Sequence, residues 1–260
     1  MSLLRLKPSL SPAVAADLAR SLFDVHGTAA PLPGERDQNF RIDAADGRRF
    51  VLKIANASEQ AAMLEAERLG MAAAGPLCAR PVPAPTGRLV EVHEVEGRPH
   101  FVRLLTWLDG DPMGSVARRS PALLRSLSRA VAEVDRGLAG VDHPATHRAF
   151  PWDLRLAPDV LTAGDGPADE GSRAFVAHAL ALHAAHAAPR ANRLRQQAIH
   201  NDANDYNVLV GGGADAYTRR QRVVGLLDFG DMVWSALVHE VAVAAAYALL
   251  GQDDPLAAIA

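Results

Sequence analysis

The chain of 260 residues sets 27 Lys and Arg against 30 Asp and Glu, a formal net charge of −3 with no basic run, which leaves no footprint for gripping a phosphate backbone and argues against a nucleic-acid partner. Its single cysteine, Cys78, excludes an internal disulfide and a thiolate metal cage and suits a reducing cytoplasm. No apolar run has the length of a secretory leader or a membrane span, the longest one containing His239 and Glu240, so a cytoplasmic location without a membrane partner is expected.

The length allows one large domain or two lobes, each with its own core. The first part reads as strands with one helix. In "FRIDAADGRRFVLKI" two apolar runs flank Asp46-Gly47, a dipeptide that favours a tight hairpin. Phe50, Leu52 and Ile54 alternate with Val51 and Lys53. Asn56, with Glu59 three residues on, predicts a helix start, and Gly75-Pro76 predicts its end. The proline-rich "RPVPAPTGR" then leads to the strand-like "LVEVHEV" and "HFVRLLTWL". From Pro121 onward the spacing of Leu124, Leu127, Val131 and Val134 is helical. A loop-rich stretch from Gly140 to Gly171 precedes an alanine-rich helix from about Arg173 to Ala188. His178, His183 and His186 on that helix read as surface residues, because a zinc site would need a further ligand.

Chemistry-bearing residues gather in four places. In "IHNDANDYNVLV", His200, Asp202 and Asn207 fit H-x-D-x-x-x-x-N, the catalytic-loop pattern of kinases. There an Asp faces the attacking hydroxyl and an Asn binds a magnesium ion. The alternative is an Asx-rich turn. A second motif, "VVGLLDFGDMV", ends a buried strand in Asp228, Phe229 and Gly230 and offers Asp228 as a further magnesium ligand. Gly211 to Gly213 reads as the hairpin turn between these two ligand-bearing strands. Third, "FVLKI" is similar to the V-A-I-K strand whose lysine contacts nucleotide phosphates, which points to Lys53. The helix after it offers Glu59, Glu65 and Glu67 to hold that lysine. Glu67 stacks with Met63 and Met71 on an apolar face, where a carboxylate is costly unless a cation meets it. Glu67 is the choice and Glu65 the fallback. Fourth, "PLPGERDQNFRI" has Gly34 but no G-x-G-x-x-G, and the amides from Gly34 to Asn39 are the candidates for covering phosphate. No G-x-x-x-x-G-K-[ST] loop occurs, which excludes the P-loop class.

These motifs, with "GERDQNFRI", "RRFVLKIAN", "FVRLLTWLDG" and "LLDFGDMVWSALVHEVAVAAAYAL", resemble the aminoglycoside phosphotransferase and choline kinase superfamily, the small-molecule relatives of protein kinases. Within it the hydroxylysine kinase group is the most similar, a group that in bacteria includes phosphotransferase domains joined to aminotransferases. The resemblance implies an α+β, protein-kinase-like, two-lobed fold. Residues 1–107 would form a nucleotide-binding lobe of antiparallel sheet plus one helix, and residues 108–260 a larger, mainly helical lobe. A hinge around Leu105 to Leu108, with Leu105 and Trp107, would hold the purine through backbone groups. Lys53 would contact phosphate, Glu67 would orient Lys53, Asp202 would be the catalytic base, and Asn207 with Asp228 would hold Mg2+. His200 would serve loop architecture. The family continues past this point with further helices, so the chain reads as a C-terminally truncated fragment or the front domain of a longer protein.

The implied reaction moves the terminal phosphoryl group of ATP or GTP to a hydroxyl of a small amino alcohol or hydroxy amino acid. A protein substrate is disfavoured, because Asp228-Phe229-Gly230 runs almost directly into "ALVHEVAVAAAYALL" and no A-P-E closes an activation segment. Asp205, Asp231 and Asp153 are the candidate partners for a substrate ammonium, each with a structural reading as the alternative. The other function class to weigh is a non-catalytic nucleotide-binding regulatory module of a larger aminotransferase fusion. Its usual signature is loss of the base or a metal ligand, and both are retained here.

Overall fold

A computed structural model describes residues 7–117, 119–163, 166–167, 169–211, 222–252 and 254. It divides into two compact units, Met1–Ala72 with Cys78–Asp109, and Ala73–Leu77 with Gly110–Ala260.

The first unit is an antiparallel sheet with two helices, one more than the sequence reading gave. The added helix is α1 (Pro12–Phe23), capped by Ser11, whose hydroxyl accepts the Val14 amide, with Pro12 in its first turn. Strands β1 (Gly27–Leu32), β2 (Gln38–Ala44) and β3 (Arg49–Ile54) follow as a meander. Gly47, at φ 85°, turns the β2–β3 hairpin where Asp46-Gly47 predicted it. α2 (Ala61–Ala74) starts later than expected. Asn56 makes a local turn instead of a cap, its side-chain oxygen accepting the Ser58 amide at 3.0 Å and hydroxyl at 2.8 Å. The helix stops before Gly75, whose φ of 74° only glycine adopts without strain. After β4 (Pro81–Val82) come β5 (Glu91–Val95) and β6 (Arg98–Thr106), and β6 is the hub that pairs β3, β4 and β5. The period-2 alternation has a clear result. Phe50, Leu52 and Ile54 sit in one core with Leu18 and Phe23 of α1, and Val51 and Lys53 take the other face.

The second unit begins with β7 (Asp111–Pro112) and α3 (Pro121–Leu138), which is capped by Ser120 through the Leu123 amide at 3.2 Å. Leu123, Leu127, Val131, Val134 and Leu138 are its buried stripe, and Leu124 of the expected set is only half-buried. The loop-rich stretch contains a short helix, α4 (Ala157–Ala163), and the alanine-rich helix α5 runs from Glu170 to Leu182. Then come β8 (Gln196–Ile199), β9 (Val208–Val210), β10 (Val223–Leu226), β11 (Val233–Ala236) and α6 (Leu237–Leu249). β9 pairs with β10 and with β7, and β11 returns to pair with β8. The turn expected at Gly211 to Gly213 lies mostly outside the described residues. Among the described residues no helix is long and apolar enough to cross a membrane.

Candidate active site

Two ladders position the polar loop. β8 leads into residues 200–207 and β9 leads out, while β10 leads into residues 227–232 and β11 leads out. Because β8 pairs with β11 and β9 with β10, the two connections emerge side by side. Hydrogen bonds tie them together. The Leu227 amide donates to the Asn207 carbonyl at 2.8 Å. His200 Nε2 donates to the Leu227 carbonyl at 2.9 Å, while its Nδ1 accepts the Asp202 amide at 3.2 Å. Those two contacts require the neutral ring with the proton on Nε2. Burial agrees, pushing the His200 pKa down to about 4. The ring also packs edge-on against Phe229, centroids 4.6 Å apart.

Asp202 is half-buried, and each of its carboxylate oxygens accepts one amide N–H: Asn204 Nδ2 at 2.8 Å and Asn207 Nδ2 at 2.7 Å. Desolvation raises its pKa to about 6, aided by the charges of Asp231 and Asp228 and opposed by the two amides. Asn204, which the sequence reading passed over, is the loop's internal brace. Its side-chain oxygen also accepts the amides of Tyr206 and Asn207 at 2.8 and 2.9 Å. The donation from Asn207 Nδ2 fixes which way that amide faces and turns its Oδ1 away from Asp202. Asp228 sits at φ 60°, a left-handed conformation uncommon outside glycine, and its carboxylate accepts the Gly230 amide at 3.3 Å. An amide oxygen and a carboxylate make a hard donor set that suits a magnesium-like cation completed by phosphate oxygens and water. No group of three or more His, Cys, Asp or Glu poised for a metal exists among the described residues.

In the first unit, Lys53 is buried on β3 between Asn39 of β2 and Arg103 of β6, its register partners. Glu67 of α2 meets Arg103, at 2.7 Å, with both side chains almost wholly buried. The cation that offsets Glu67 most directly is therefore Arg103, a residue the sequence reading missed although a charge inside the apolar "FVRLL" was its signal. Glu65 pairs with Arg68 on the helix surface. Gly34 cannot carry a side chain, because a Cβ would come within 2.6 Å of Asn39 Nδ2 and of the Asp37 carbonyl. Asn39 Nδ2 donates to the Pro33 carbonyl at 3.0 Å, and its buried Oδ1 has no partner among the described residues. Asp37 accepts the Asn56 amide at 3.0 Å, which ties the Gly34–Asn39 turn to the end of β3. At the expected hinge, Leu105 is still within the sheet, paired with Val51 and Pro81. Trp107 donates its amide to the Arg49 carbonyl at 3.2 Å, so a purine contact from Trp107 has only its carbonyl to use.

Two of the three candidate ammonium partners already meet cations of this chain. Asp153 is fully buried and accepts Ser235 Oγ at 2.7 Å, the Arg155 amide at 3.0 Å and the Arg155 guanidinium, which together hold its pKa below the usual carboxylate range despite burial. Asp205 is buried against Arg119 at 2.7 Å. Both charges are spent on structure. Asp231 is half-buried and close enough to Asp202 to act on its titration.

The profile of the phosphotransferase enzyme family matches residues 28–260, and the chain belongs to that family. It is a small-molecule kinase, a phosphotransferase by class. Among curated relatives, hydroxylysine kinase of Bos taurus is 30% identical over 273 residues, covering 96% of this chain and 72% of the relative. Hydroxylysine kinase of Danio rerio is 28% identical, covering 98% and 75%. Solved structures share the fold. An amicoumacin kinase in complex with AMP-PNP and Ca2+ superposes with a TM-score of 0.70 at 14% identity, covering 96% of this chain and 76% of that one. A microcompartment-associated aminopropanol kinase gives 0.69 at 19% identity, covering 89% and 73%.

Proposed function

We propose that this kinase transfers the terminal phosphoryl group of ATP or GTP, with Mg2+, to the hydroxyl of a small molecule that also carries an amine, of the hydroxylysine or ethanolamine kind. The observation that carries this reading is the state of Asp202. Its two oxygens are each held by one side-chain amide, and each retains acceptor capacity for a substrate hydroxyl. A raised pKa brings it nearer the operating pH of a general base. Asp202 then aligns the acceptor oxygen and takes its proton. Asn207, through Oδ1, and Asp228 would hold the divalent ion, which when bound offsets charge on the phosphates. Lys53 would contact phosphate, and the Gly34–Asn39 turn would cover it. Asp231, half-buried near Asp202, would meet the substrate ammonium.

The hydroxylysine kinases among the curated relatives and the aminopropanol kinase among the fold neighbours are both named for acceptors with a hydroxyl near an amine. The test is an acceptor screen with ATP or GTP and Mg2+, following nucleoside diphosphate release with 5-hydroxylysine, ethanolamine and aminopropanol. Turnover of at least one amino alcohol, and none of the matched amines lacking a hydroxyl, is expected. Nucleotide binding without transfer to any acceptor would overturn it.

A further inference from the structure

Below the loop that carries Asp202, three elements meet: α3, β8 and α6 pack on one another. Glu240 of α6 reaches into this junction and is buried, 1% exposed. Its Oε2 accepts the amide of Asn201 at 2.7 Å. Asn201 stands between His200 and Asp202 at φ 67°, a left-handed conformation that costs on the order of 1–3 kcal/mol and persists only where its surroundings hold it. The bond from Glu240 is one such hold, and it acts on the peptide next to Asp202.

The surroundings of Glu240 are rich in oxygen, and the donors that act on it are the backbone amides of Asn201 and His200. Glu240 Oε1, Asp135 Oδ1, Gln197 Oε1 and Asn201 Oδ1 are all buried acceptors without a partner among the described residues. Gln197 spends its amide nitrogen on the Asp135 backbone carbonyl at 2.8 Å. The charged groups that act most on Glu240 are Asp135 from α3 and Asp202 from the loop, both carboxylates, while Arg195, just before β8, acts on Asp135. β11 contributes no titratable residue to the junction. A buried carboxylate facing like charges is expensive, and a proton is the least costly remedy.

We propose that Glu240 is a positioning residue for the catalytic loop and does this work as a neutral carboxylic acid: Oε2 accepts the Asn201 amide, and Oε1 carries a proton into the acceptor-rich junction. Burial supports this by raising the Glu240 pKa to about 8 and that of Asp135 to about 7. Ionising Glu240 places charge in a dry site below Asp202, and the loop loosens to let water reach it.

The role in turnover rests on the kinase reading, whereas the proton itself does not, so two measurements separate them. Infrared spectra of the intact protein at pH 7 should show a protonated-carboxyl band that Glu240→Gln removes, with Asp135→Asn as the control for the neighbouring acid. In turnover with whichever acceptor the screen yields, the wild type should lose kcat as pH rises through about 8. Glu240→Gln, the same shape and permanently neutral, should keep most of kcat and lose that alkaline fall. Glu240→Ala should lower kcat about 10²-fold with the nucleotide KM little changed, the scale of a misplaced catalytic group. An infrared band unchanged by Glu240→Gln shows that residue ionised and overturns the proposal. So does a Gln variant as slow as the Ala variant, or one that keeps the alkaline fall. If no acceptor is turned over, the kinase reading fails and the infrared result alone decides the proton.

Discussion

The row of polar side chains on the sheet of the first unit and the polar loop of the second solve the same problem, burying charge, in opposite ways. On the sheet, Glu67 meets Arg103 at 2.7 Å, so each buried side chain has a group of opposite sign as its partner. At the loop, burial keeps His200 neutral and raises the pKa of Asp202, and it raises Glu240 and Asp135 still further, with neighbouring carboxylates adding to the shift of Asp202 and Glu240. The lesson is that the sheet is locked by opposite charge, and the loop is held by neutral hydrogen bonds whose strength follows the proton count. The first arrangement pairs its two groups directly. The second changes its charge as protons bind or leave.

The largest effect that tests this contrast is expected at Asp202. Asp202→Ala should lower kcat about 10²–10⁴-fold, the usual worth of a general base, while calorimetry finds nucleotide affinity nearly unchanged. Normal turnover in that variant would remove Asp202 from the reaction.

Next comes the sheet pair. Arg103→Met alone leaves Glu67 buried without its cation and should cost about 3–5 kcal/mol in urea unfolding. Adding Glu67→Leu should restore much of the loss. A double variant no more stable than the single one would show that the pair does more than cancel its own burial.

His200 gives the pH test. Its folded pKa of about 4 lies below the ordinary histidine value, so the unfolded chain binds the proton first as pH falls. Stability from the neutral ring is complete above pH 6.5 and drains away as pH drops toward 4, by on the order of 3 kcal/mol. Thermal melts between pH 7 and 4 should show this slope in the wild type and a shallower one in His200→Gln. Equal slopes would mean that the ring is charged in the fold.

The smallest expected effect lies away from both regions, at the cap of α1. Ser11→Ala should cost about 1 kcal/mol and leave kcat unchanged, since the cap touches only the Val14 amide. A change in kcat there would mean that α1 feeds into the sheet row.

Much of this was legible from residue order alone. Alternation in "FVLKI" put Lys53 opposite Phe50, Leu52 and Ile54, Asp46-Gly47 marked its hairpin, and the spacing of Asp202, Asn207 and Asp228 pointed to the phosphotransferase family that the chain belongs to. These are local patterns, set by the two-residue period of a strand and by the few side chains able to do each task. α1 adds a helix that the sequence reading did not include, with Ser11 as its cap and Pro12 in its first turn as its local signals. The pairing of Asp153 with Arg155 and of Asp205 with Arg119 was not legible, because a carboxylate's place in the sequence does not say which cation it meets.

What the sequence determined by itself is the inventory of polar side chains in the loop motifs and the strands that carry them. Tertiary structure decided who faces whom: the register of β3 with β6 set Arg103 beside Lys53 and within reach of Glu67, and the packing of α6 under β8 turned Glu240 from a blemish in an apolar helix into the support of Asn201. Partners such as Glu240 and Asn201 lie 39 residues apart. No local rule of spacing couples positions so distant, because their meeting is fixed only when the ladders and helices between them have closed.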